Sequence, residues 1–296
     1  MTTRKSNKYN SKVSVENITS FAIKARPFVK WVGGKRQLLR QFEALLPNNF
    51  NPNKNTYFEP FLGGGAVFFD LQPFNAVLSD INSELISTYQ VIRDNVEDLI
   101  SSLKKHRYKK EYYLKIRELE PSKLSKIEVA SRFIYLNRTC FNGMHRVNKK
   151  GKFNVPFGRY SKPKICDEEN LRNVSRVLQG IDIRLQKYEN VLDLAKKGDF
   201  IYLDPPYYPL SKTSNFTSYN ADCFLEKEQE KLRDVFLELN KKGCFVMLSN
   251  SDTDFIREIY SEKSEKIRIV PVQAGRSINS NASKRGKISE LVILNY

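Results

Sequence analysis

The stretch FEPFLGGG (58–65) ends one predicted strand and opens a helical run. Glycines at such a turn let the backbone bend sharply and approach a ligand closely, as at the first crossover of nucleotide-binding sheets. A dinucleotide fingerprint would need glycine at position 68, where the chain has Phe68, so the motif disfavours NAD binding. Asp80 closes the next predicted strand, where a carboxylate can accept hydrogen bonds from both hydroxyls of a ribose. The turn and Asp80 together favour a ligand site over a tight structural turn.

Short apolar runs bounded by turn residues recur along the chain and predict buried parallel strands. These runs are residues 57–62, 76–79, 200–203, 244–248 and 289–294. Helical patterns lie between them, at residues 38–46, 85–92 and 226–240. Strands that alternate with helices indicate an α/β protein with a doubly wound, mostly parallel sheet.

One block, residues 96–192, interrupts this alternation. It is basic and aromatic-rich, helical at first (129–136), and then rich in Gly, Asn and Pro. We interpret it as a second lobe inserted into a sheet domain made of residues 26–95 and 193–296. Residues 1–25 are polar and show no periodicity, which predicts a flexible basic arm.

The charge of the chain is concentrated in the same block. Fifty Lys and Arg residues against 33 Asp and Glu give a formal net charge of +17. Residues 101–165 hold 18 of these basic residues and four acidic ones, and so carry +14 of the total. A short run of charge is usually a solvated face, but such an excess over a whole lobe favours a nucleic-acid surface.

The cysteine spacing and the hydropathy exclude several classes of protein. Cys140, Cys166, Cys223 and Cys244 lie far apart without a CxxC pair, and the chain has only two histidines. We therefore expect reduced thiols, with no metal site and no disulfide framework. The first twenty residues have no apolar core, and no run approaches the length of a membrane span, so we expect a cytoplasmic protein.

The stretch IYLDPPY (201–207) carries the most specific chemistry. It delivers Asp204 to the carboxyl end of a buried strand, where open α/β sheets bind ligands. Pro205 and Pro206 fix a rigid turn and cannot donate a backbone hydrogen bond. The Asp204 carboxylate and the Pro205 carbonyl thus offer acceptors beside the ring of Tyr207. An amino group on a flat base complements them, because acceptors draw its lone pair out of conjugation and let the nitrogen attack an electrophilic methyl.

The stretch FVKWVGGK (28–35) could be mistaken for a phosphate-binding loop. That loop needs glycine five positions before Gly34 and Ser or Thr after Lys35, whereas the chain has Val29 and Arg36. The only tryptophan, Trp31, is a core residue or a ligand contact on this information alone.

These motifs resemble the Dam-type DNA adenine-N6 methyltransferases of the α class, the group whose members mostly modify GATC. The resemblance spans nearly everything after about residue 26, and the motifs follow the family's order. They are PFVKWVGGK (27–35), FEPFLGGGAVF (58–68) with SDIN (79–82), LNRTCFNGMHRVNKKGKFNVPFGRY (136–160), IYLDPPY (201–207) and RSINSNASKRGKISELVIL (276–294). The basic arm before residue 26 is longer than in typical members.

The resemblance implies a seven-stranded, Rossmann-like methyltransferase sheet that binds S-adenosylmethionine and needs no metal. The residues that it places in the cofactor pocket are Trp31, Lys35, Phe61, Gly63, Gly65, Asp80 and Asp204. Asp204, Pro205, Pro206 and Tyr207 would be the catalytic residues, with Tyr207 stacked on an adenine flipped out of the duplex.

The inserted lobe would then be a helical and β-hairpin reader of double-stranded DNA. Residues 142–156 look like a hairpin with a turn near 149–151; arginine is the usual bidentate reader of guanine, and lysines suit phosphates. The residues that the resemblance places on DNA are Phe141, Asn142, Met144, Arg146, Lys150 and Pro156. We expect a monomer acting on GATC, with a restriction endonuclease for the same site as a candidate partner.

Three alternatives stay open at this point. N4 methylation of cytosine poses the same chemistry, but its enzymes more often carry Ser in place of Asp204. Protein glutamine methyltransferases usually show Asn-Pro-Pro-Tyr and need no basic insert. A catalytically inactive DNA-binding protein on the same fold is disfavoured by the intact DPPY motif, Asp80 and Lys35.

Overall fold

The structure is a computed structural model that describes residues 23–52, 54–210, 224–261, 267–275 and 287–296. The basic arm expected at residues 1–25 lies outside the described residues except for its last three, and Cys223 lies outside them too. Within these ranges, none of the helices has the length and apolar character needed to cross a bilayer.

The described chain contains seven strands and ten α-helices. The strands are β1 Tyr57–Glu59, β2 Ala76–Asp80, β3 Asp182–Leu185, β4 Phe200–Leu203, β5 Phe245–Ser251, β6 Arg268–Gly275 and β7 Lys287–Leu294. The helices are α1 Leu39–Glu43, α2 Ala66–Leu71, α3 Ser83–Asp94, α4 Val96–Leu103, α5 Lys110–Glu118, α6 Lys126–Thr139, α7 Glu168–Leu178, α8 Val191–Leu194, α9 Glu226–Lys241 and α10 Asp254–Ser261.

The strands form one sheet in the order β3-β2-β1-β4-β5-β7-β6. Strands β1 to β5 pair in parallel, and β7 runs antiparallel to both of its neighbours. The chain extends the sheet in one direction from β1 and in the other from β4, so the strand order reverses between them. Ligands bind outside the carboxyl ends of the strands at such a switch point.

Both faces of the sheet are covered, as a parallel sheet requires. Alternate side chains of one strand enter opposite cores: Tyr57 packs with α3, α4, α6 and α7, while Phe58 packs with α8, α9 and α10. Strand β4 is buried along its whole length. The prediction of a doubly wound, seven-stranded α/β sheet is confirmed.

Two strands were not predicted from the sequence. Both β6 Arg268–Gly275 and β3 Asp182–Leu185 are only partly buried. β3 has a mixed polar composition without an apolar run, and the short apolar run of β6 contains Pro271, which is uncommon inside strands. β3 pairs with β2 and so belongs to the sheet, although it lies inside the block 96–192. The preceding helix α7 packs into the same core as α3. The last part of the block 96–192 thus returns to the sheet.

The lobe itself has a small core of its own. Tyr113, Tyr135, Leu136, Phe153 and Val155 bring together α5, α6 and the segment that follows α6. Helix α6 begins at a capping box, in which the Ser125 hydroxyl accepts from the Glu128 backbone N–H and the Glu128 carboxylate accepts from the Ser125 N–H. Since α6 also packs against the sheet core through Phe133, it connects the two cores.

Candidate active site at the sheet switch point

The glycine loop after β1 is shaped by backbone conformation and by Asp80. Gly63 and Gly65 both have positive φ, at 47° and 65°, which side-chain-bearing residues rarely adopt. The Asp80 Oδ2 accepts a hydrogen bond from the Gly63 N–H at 3.0 Å, and its Oδ1 accepts one from the Asn82 N–H at 2.9 Å. Burial raises the pKa of the Asp80 carboxyl, and these N–H groups oppose the rise. Asp80 thus holds the loop in place at the mouth of the cleft.

Trp31 covers this loop closely. A Cβ atom on Gly63 would lie 2.6 Å from Trp31 Cδ1, so only glycine fits beneath the indole. On the other side of the loop, the Phe61 ring stacks on Tyr188 with centroids 5.1 Å apart. The cleft at the loop therefore has aromatic walls of the kind that suit a flat, partly apolar ligand.

Lys35 and Asp204 form a mostly buried ion pair at the carboxyl end of β4. Their Nζ and Oδ1 atoms are 2.7 Å apart, and the exposed fractions of the two side chains are 4% and 21%. Lys35 also donates to the Gly33 carbonyl, and its ammonium lies 4.7 Å from the centroid of the Tyr207 ring. Burial raises the pKa of the Asp204 carboxyl, and the Lys35 ammonium opposes that rise.

The DPPY turn is held from behind by polar side chains of β5, β7 and α9. The Tyr207 hydroxyl donates to Glu290 of β7 at 2.8 Å. The Pro206 carbonyl accepts from the Gln229 side-chain amide at 3.0 Å, and the Gln229 amide oxygen accepts in turn from Asn250. Gln229 and Asn250 are fully buried. This network fixes the positions of the Tyr207 hydroxyl and the Pro206 carbonyl, and so of the turn between them.

Glu59 is a second buried carboxyl beside the cleft. Its Oε2 accepts from the Tyr57 hydroxyl at 2.7 Å and from the Phe68 N–H at 3.1 Å. Burial raises the pKa of Glu59 from 4.5 to about 8, and the nearby Asp204 carboxylate adds to the rise. The Glu59 carboxyl is therefore protonated at neutral pH in most of the folded molecules.

One open cleft of about 2560 Å³ joins these features. Its volume exceeds the few hundred to about 1,000 Å³ of an ordinary small-molecule site, so it has room for a cofactor and a macromolecular segment together. The candidate site residues that line it are Trp31, Lys35, Phe61, Gly63, Gly65, Asp80, Met144, Arg146, Asp204, Pro205, Pro206 and Tyr207. Phe141, Asn142, Lys150 and Pro156 do not line it.

The segment after α6 forms a hairpin, as expected. Val147 and Phe153 make an antiparallel bridge, and the Gly151 N–H donates to the Asn148 carbonyl at the turn. Arg146 is exposed, and its guanidinium donates to the Asn154 side chain at 2.8 Å. At the base of the hairpin, the Phe141 N–H donates to the Pro156 carbonyl at 2.8 Å, which holds these two predicted DNA contacts together.

The remaining predicted DNA contacts differ in their exposure. Phe141 is half exposed, and Asn142 and Lys150 are exposed. Asn142 has a positive φ of 54°, a conformation that asparagine tolerates better than most residues. Met144 packs partly against the core of the lobe.

Several site side chains were not singled out from the sequence. Glu59 ends an otherwise apolar strand, and Glu290 directly precedes the apolar run 291–294, a signal that could have marked both acids. Gln229 lies on a charged amphipathic helix and gave no such signal. Among the described residues, Cys140, Cys166 and Cys244 are free, and no cluster of three His, Cys, Asp or Glu side chains could hold a metal ion.

The fold and the site define an α/β protein of the nucleotide-binding type with a DPPY site at the switch point of its sheet. The model of the D12 class N6 adenine-specific DNA methyltransferases matches residues 31–278. The chain is 45% identical to the type II methyltransferase M1.LlaDCHI of Lactococcus lactis subsp. cremoris, with 93% of this chain and 96% of the relative covered.

Two further relatives agree. The type II methyltransferase M.MjaIII of Methanocaldococcus jannaschii is 42% identical, with 93% of this chain and 100% of the relative covered. The DNA adenine methylase of Escherichia coli K12 is 35% identical, with 92% and 95% covered. The chain belongs to the D12 class of N6 adenine-specific DNA methyltransferases, as its motifs predicted, and it is a site-specific DNA adenine methyltransferase.

Proposed function

We propose that S-adenosylmethionine is the methyl donor and that it binds in the cleft between Trp31 and the glycine loop. The described residues fit this group: the Asp80 carboxylate lies beside a loop of positive-φ glycines, and Phe61 adds an aromatic wall. Asp80 would accept hydrogen bonds from the ribose, and Trp31 and Lys35 would contact the methionine end. When bound, S-adenosylmethionine supplies an electrophilic methyl group on a sulfonium.

The DPPY turn would hold the target adenine for this transfer. The Asp204 carboxylate and the Pro205 carbonyl would each accept a hydrogen bond from the N6 amino group. These bonds would draw the nitrogen lone pair out of conjugation with the ring and direct it toward the methyl group. The Asp204 carboxylate, whose pKa is raised by burial, is placed to take the proton that N6 loses once it carries the methyl. Tyr207 stacks on the base with its hydroxyl held by Glu290.

Lys35 has to change partners during this cycle. Its ammonium bonds to Asp204 and lies over the Tyr207 ring, which is where the base would stack. A carboxylate at the methionine end of the cofactor would give the ammonium another anionic partner in the same cleft. The contacts of Lys35 would thus keep Asp204 ionised until the base arrives.

DNA would lie across the basic lobe with the adenine flipped into the cleft, because an N6 within a stacked duplex is out of reach. The +14 charge of residues 101–165 supports phosphate binding by this surface. The hairpin would enter the major groove, with Arg146 reading a guanine and Phe141, Asn142, Met144, Lys150 and Pro156 making the other contacts.

The proposed recognition sequence is GATC, and the enzyme would act as a monomer. Two of the relatives are named type II methyltransferases, which supports a restriction endonuclease of the same specificity as the partner. For the domains, we propose that the sheet domain comprises residues 26–95 and the chain from α7 onward. The recognition lobe would then end before α7 rather than at residue 192, since β3 pairs within the sheet.

The observation that carries the proposal is the convergence of Asp204, Asp80 and Arg146 on one cleft. Transfer of a tritiated methyl group from S-adenosylmethionine to duplex DNA tests it directly. We expect label in N6-methyladenine after digestion, and label in N4-methylcytosine or in protein would contradict it. Sequencing of methylated adenines in DNA from cells that express the enzyme then identifies the site, and a motif other than GATC would overturn that part.

Salt dependence tests the role of the basic lobe. If about six phosphate contacts form, raising salt from about 50 to 200 mM should weaken DNA binding on the order of 10³-fold. An affinity that does not change with salt would show that the basic residues of the lobe form a solvated surface and do not bind phosphates.

A further inference from the structure

Trp31 contacts two elements that the proposed function assigns to different substrates. One edge of the indole lies against Gly63 of the glycine loop, at a distance that leaves no room for a Cβ atom. Its face stacks on the ring of His145 in the hairpin, with centroids 5.5 Å apart and planes at 20°. The same side chain therefore contacts the cofactor loop and the DNA-reading hairpin.

His145 is partly buried, and it lines the cleft between Met144 and Arg146. Its ring also contacts Phe133 of α6 at 5.4 Å and Phe153 of the hairpin at 5.8 Å. Burial lowers the pKa of His145 to about 4, so the ring is neutral at physiological pH and packs as an aromatic group. Its neighbours in sequence, Met144 and Arg146, both line the cleft. A shift of the His145 ring would therefore move the base-reading side chain next to it.

A second link runs in parallel through the backbone. The side chain of Asn137, which is 2% exposed, accepts from the Lys30 N–H and donates to the Lys30 carbonyl, each at 2.8 Å. The same amide nitrogen donates to the Gly143 carbonyl at 3.0 Å. Asn137 thus joins the residue before Trp31 to the start of the hairpin, and the two links fix one segment to the other at two points.

We propose that His145 is a positioning residue that couples the binding of cofactor and DNA through Trp31, with Asn137 fixing the two backbone segments that carry the rings. The inference rests on the proposed function, since it takes the glycine loop as the cofactor site and the hairpin as the DNA reader. A ligand that holds Trp31 against the loop fixes the hairpin in its reading position. By linkage, DNA on the hairpin tightens cofactor binding by the same factor.

The chain offers a matched control, because its other histidine makes a similar stack elsewhere in the lobe. His106 stacks on Tyr135 with centroids 4.3 Å apart, and burial lowers its pKa to about 4 as well. Its two ring nitrogens bond to Tyr112 and Ser131. His106→Ala therefore removes an equivalent ring from the lobe without touching Trp31.

The experiment measures the dissociation constant of S-adenosylhomocysteine, the demethylated cofactor, by calorimetry. It is measured for the full-length protein with and without a duplex that carries the site found by sequencing. The ratio of the two constants is the coupling. We expect a ratio of at least about fivefold in the wild type, the lower end of typical couplings. It should fall to near one in His145→Ala, recover in His145→Phe, which keeps a ring, and stay at the wild-type value in His106→Ala.

Emission of the only tryptophan gives an independent readout of the stack. DNA should change Trp31 emission in the wild type, in His145→Phe and in His106→Ala, and should leave it unchanged in His145→Ala. If His145→Ala does not fold, His145→Gln provides a second variant without an aromatic ring.

The outcomes separate this inference from the proposed function. A wild-type protein that binds no S-adenosylhomocysteine would overturn the proposed function. A wild type that methylates DNA but has a ratio near one would overturn only the coupling. A coupling ratio that stays at the wild-type value in His145→Ala would also overturn the coupling, because the ring would then have no part in it. Equal loss of the ratio in His106→Ala would overturn it too, because that result indicates a purely structural role.

Discussion

The carboxyl ends of the strands and the hairpin hold their functional side chains in opposite ways. At the strand ends, both oxygens of Asp80 accept backbone N–H groups, and Asp204 is paired with a lysine that is 4% exposed. The Tyr207 hydroxyl is bonded to Glu290 of β7, two strands away from β4 in the sheet. On the hairpin, Arg146 is exposed and bonds to Asn154 of the same hairpin.

This difference follows from what each region has to do. Catalysis depends on groups aimed before the substrate arrives, and buried, hydrogen-bonded carboxylates keep their direction. A reader of DNA must find a base edge in a groove, so its side chains stay in solvent until the duplex replaces the water. Changes at the strand ends should therefore lower turnover or cofactor affinity on every DNA, whereas changes on the hairpin should alter the choice among DNAs.

The largest effect is expected from Asp204→Ala. Removing the acceptor at the reacting nitrogen should lower kcat on the order of 10²–10³-fold, while DNA binding is largely kept. Asp204→Asn is the control, because its amide oxygen still accepts one hydrogen bond and should retain more activity. Single-turnover methylation measures both variants. An Ala variant that keeps more than about a tenth of wild-type turnover, a loss under ~1.4 kcal/mol, would show that Asp204 does not act at the reacting atom.

Asp80→Ala should come next in size. It removes the acceptor for the ribose hydroxyls and also releases the Gly63 N–H, so cofactor affinity should fall about ten- to hundredfold. The ranking of DNA substrates should not change. Calorimetry with S-adenosylhomocysteine gives the affinity, and competition between duplexes gives the ranking. Unchanged affinity would remove Asp80 from the cofactor site.

A smaller and more selective effect is expected from Arg146→Ala. Loss of the guanidinium, whose paired N–H groups would bond to guanine, should cost roughly 1–3 kcal/mol of discrimination at one base pair. Sites substituted at that pair should then become methylated. Lys150→Ala is the matched comparison, because Lys150 is also exposed on the same hairpin and its loss should weaken binding to all duplexes alike. The measurement is kcat/KM on GATC and on duplexes changed at each position. Equal losses on every duplex in the Arg146 variant would make that residue a phosphate anchor.

The smallest effect concerns Glu59 and appears only in the pH dependence of stability. Its folded-state pKa of about 8 lies above the ordinary 4.5, so its contribution to stability is full below about pH 4.5 and is lost as pH rises through about 8. Glu59→Gln removes that loss, because the amide does not ionise. Urea midpoints without cofactor at pH 6 and pH 9 should fall less in the variant than in the wild type. If the urea midpoints of the wild type and the variant fall equally between pH 6 and pH 9, Glu59 does not ionise within this pH range.

Much of the sheet could be predicted from local pattern. The run 200–203 is β4 to the residue, and the pattern 226–240 is α9 within one residue, because apolar periodicity is strong in both. The predicted strand 57–62 is longer than β1, since the chain turns at Pro60 toward the glycine loop. β3 was missed because an edge strand has one neighbour and needs little apolar surface.

The sequence by itself determined the family, the DPPY and glycine motifs, and the basic lobe, since each depends on which residue types follow one another. Only the tertiary structure decided that Lys35 pairs with Asp204, that Glu290 holds Tyr207, and that His145 stacks on Trp31. These partners are 169, 83 and 114 positions apart in the chain. Local periodicity carries no information on contacts at such separations, because they depend on how the crossovers stack the strand ends and place the lobe over them.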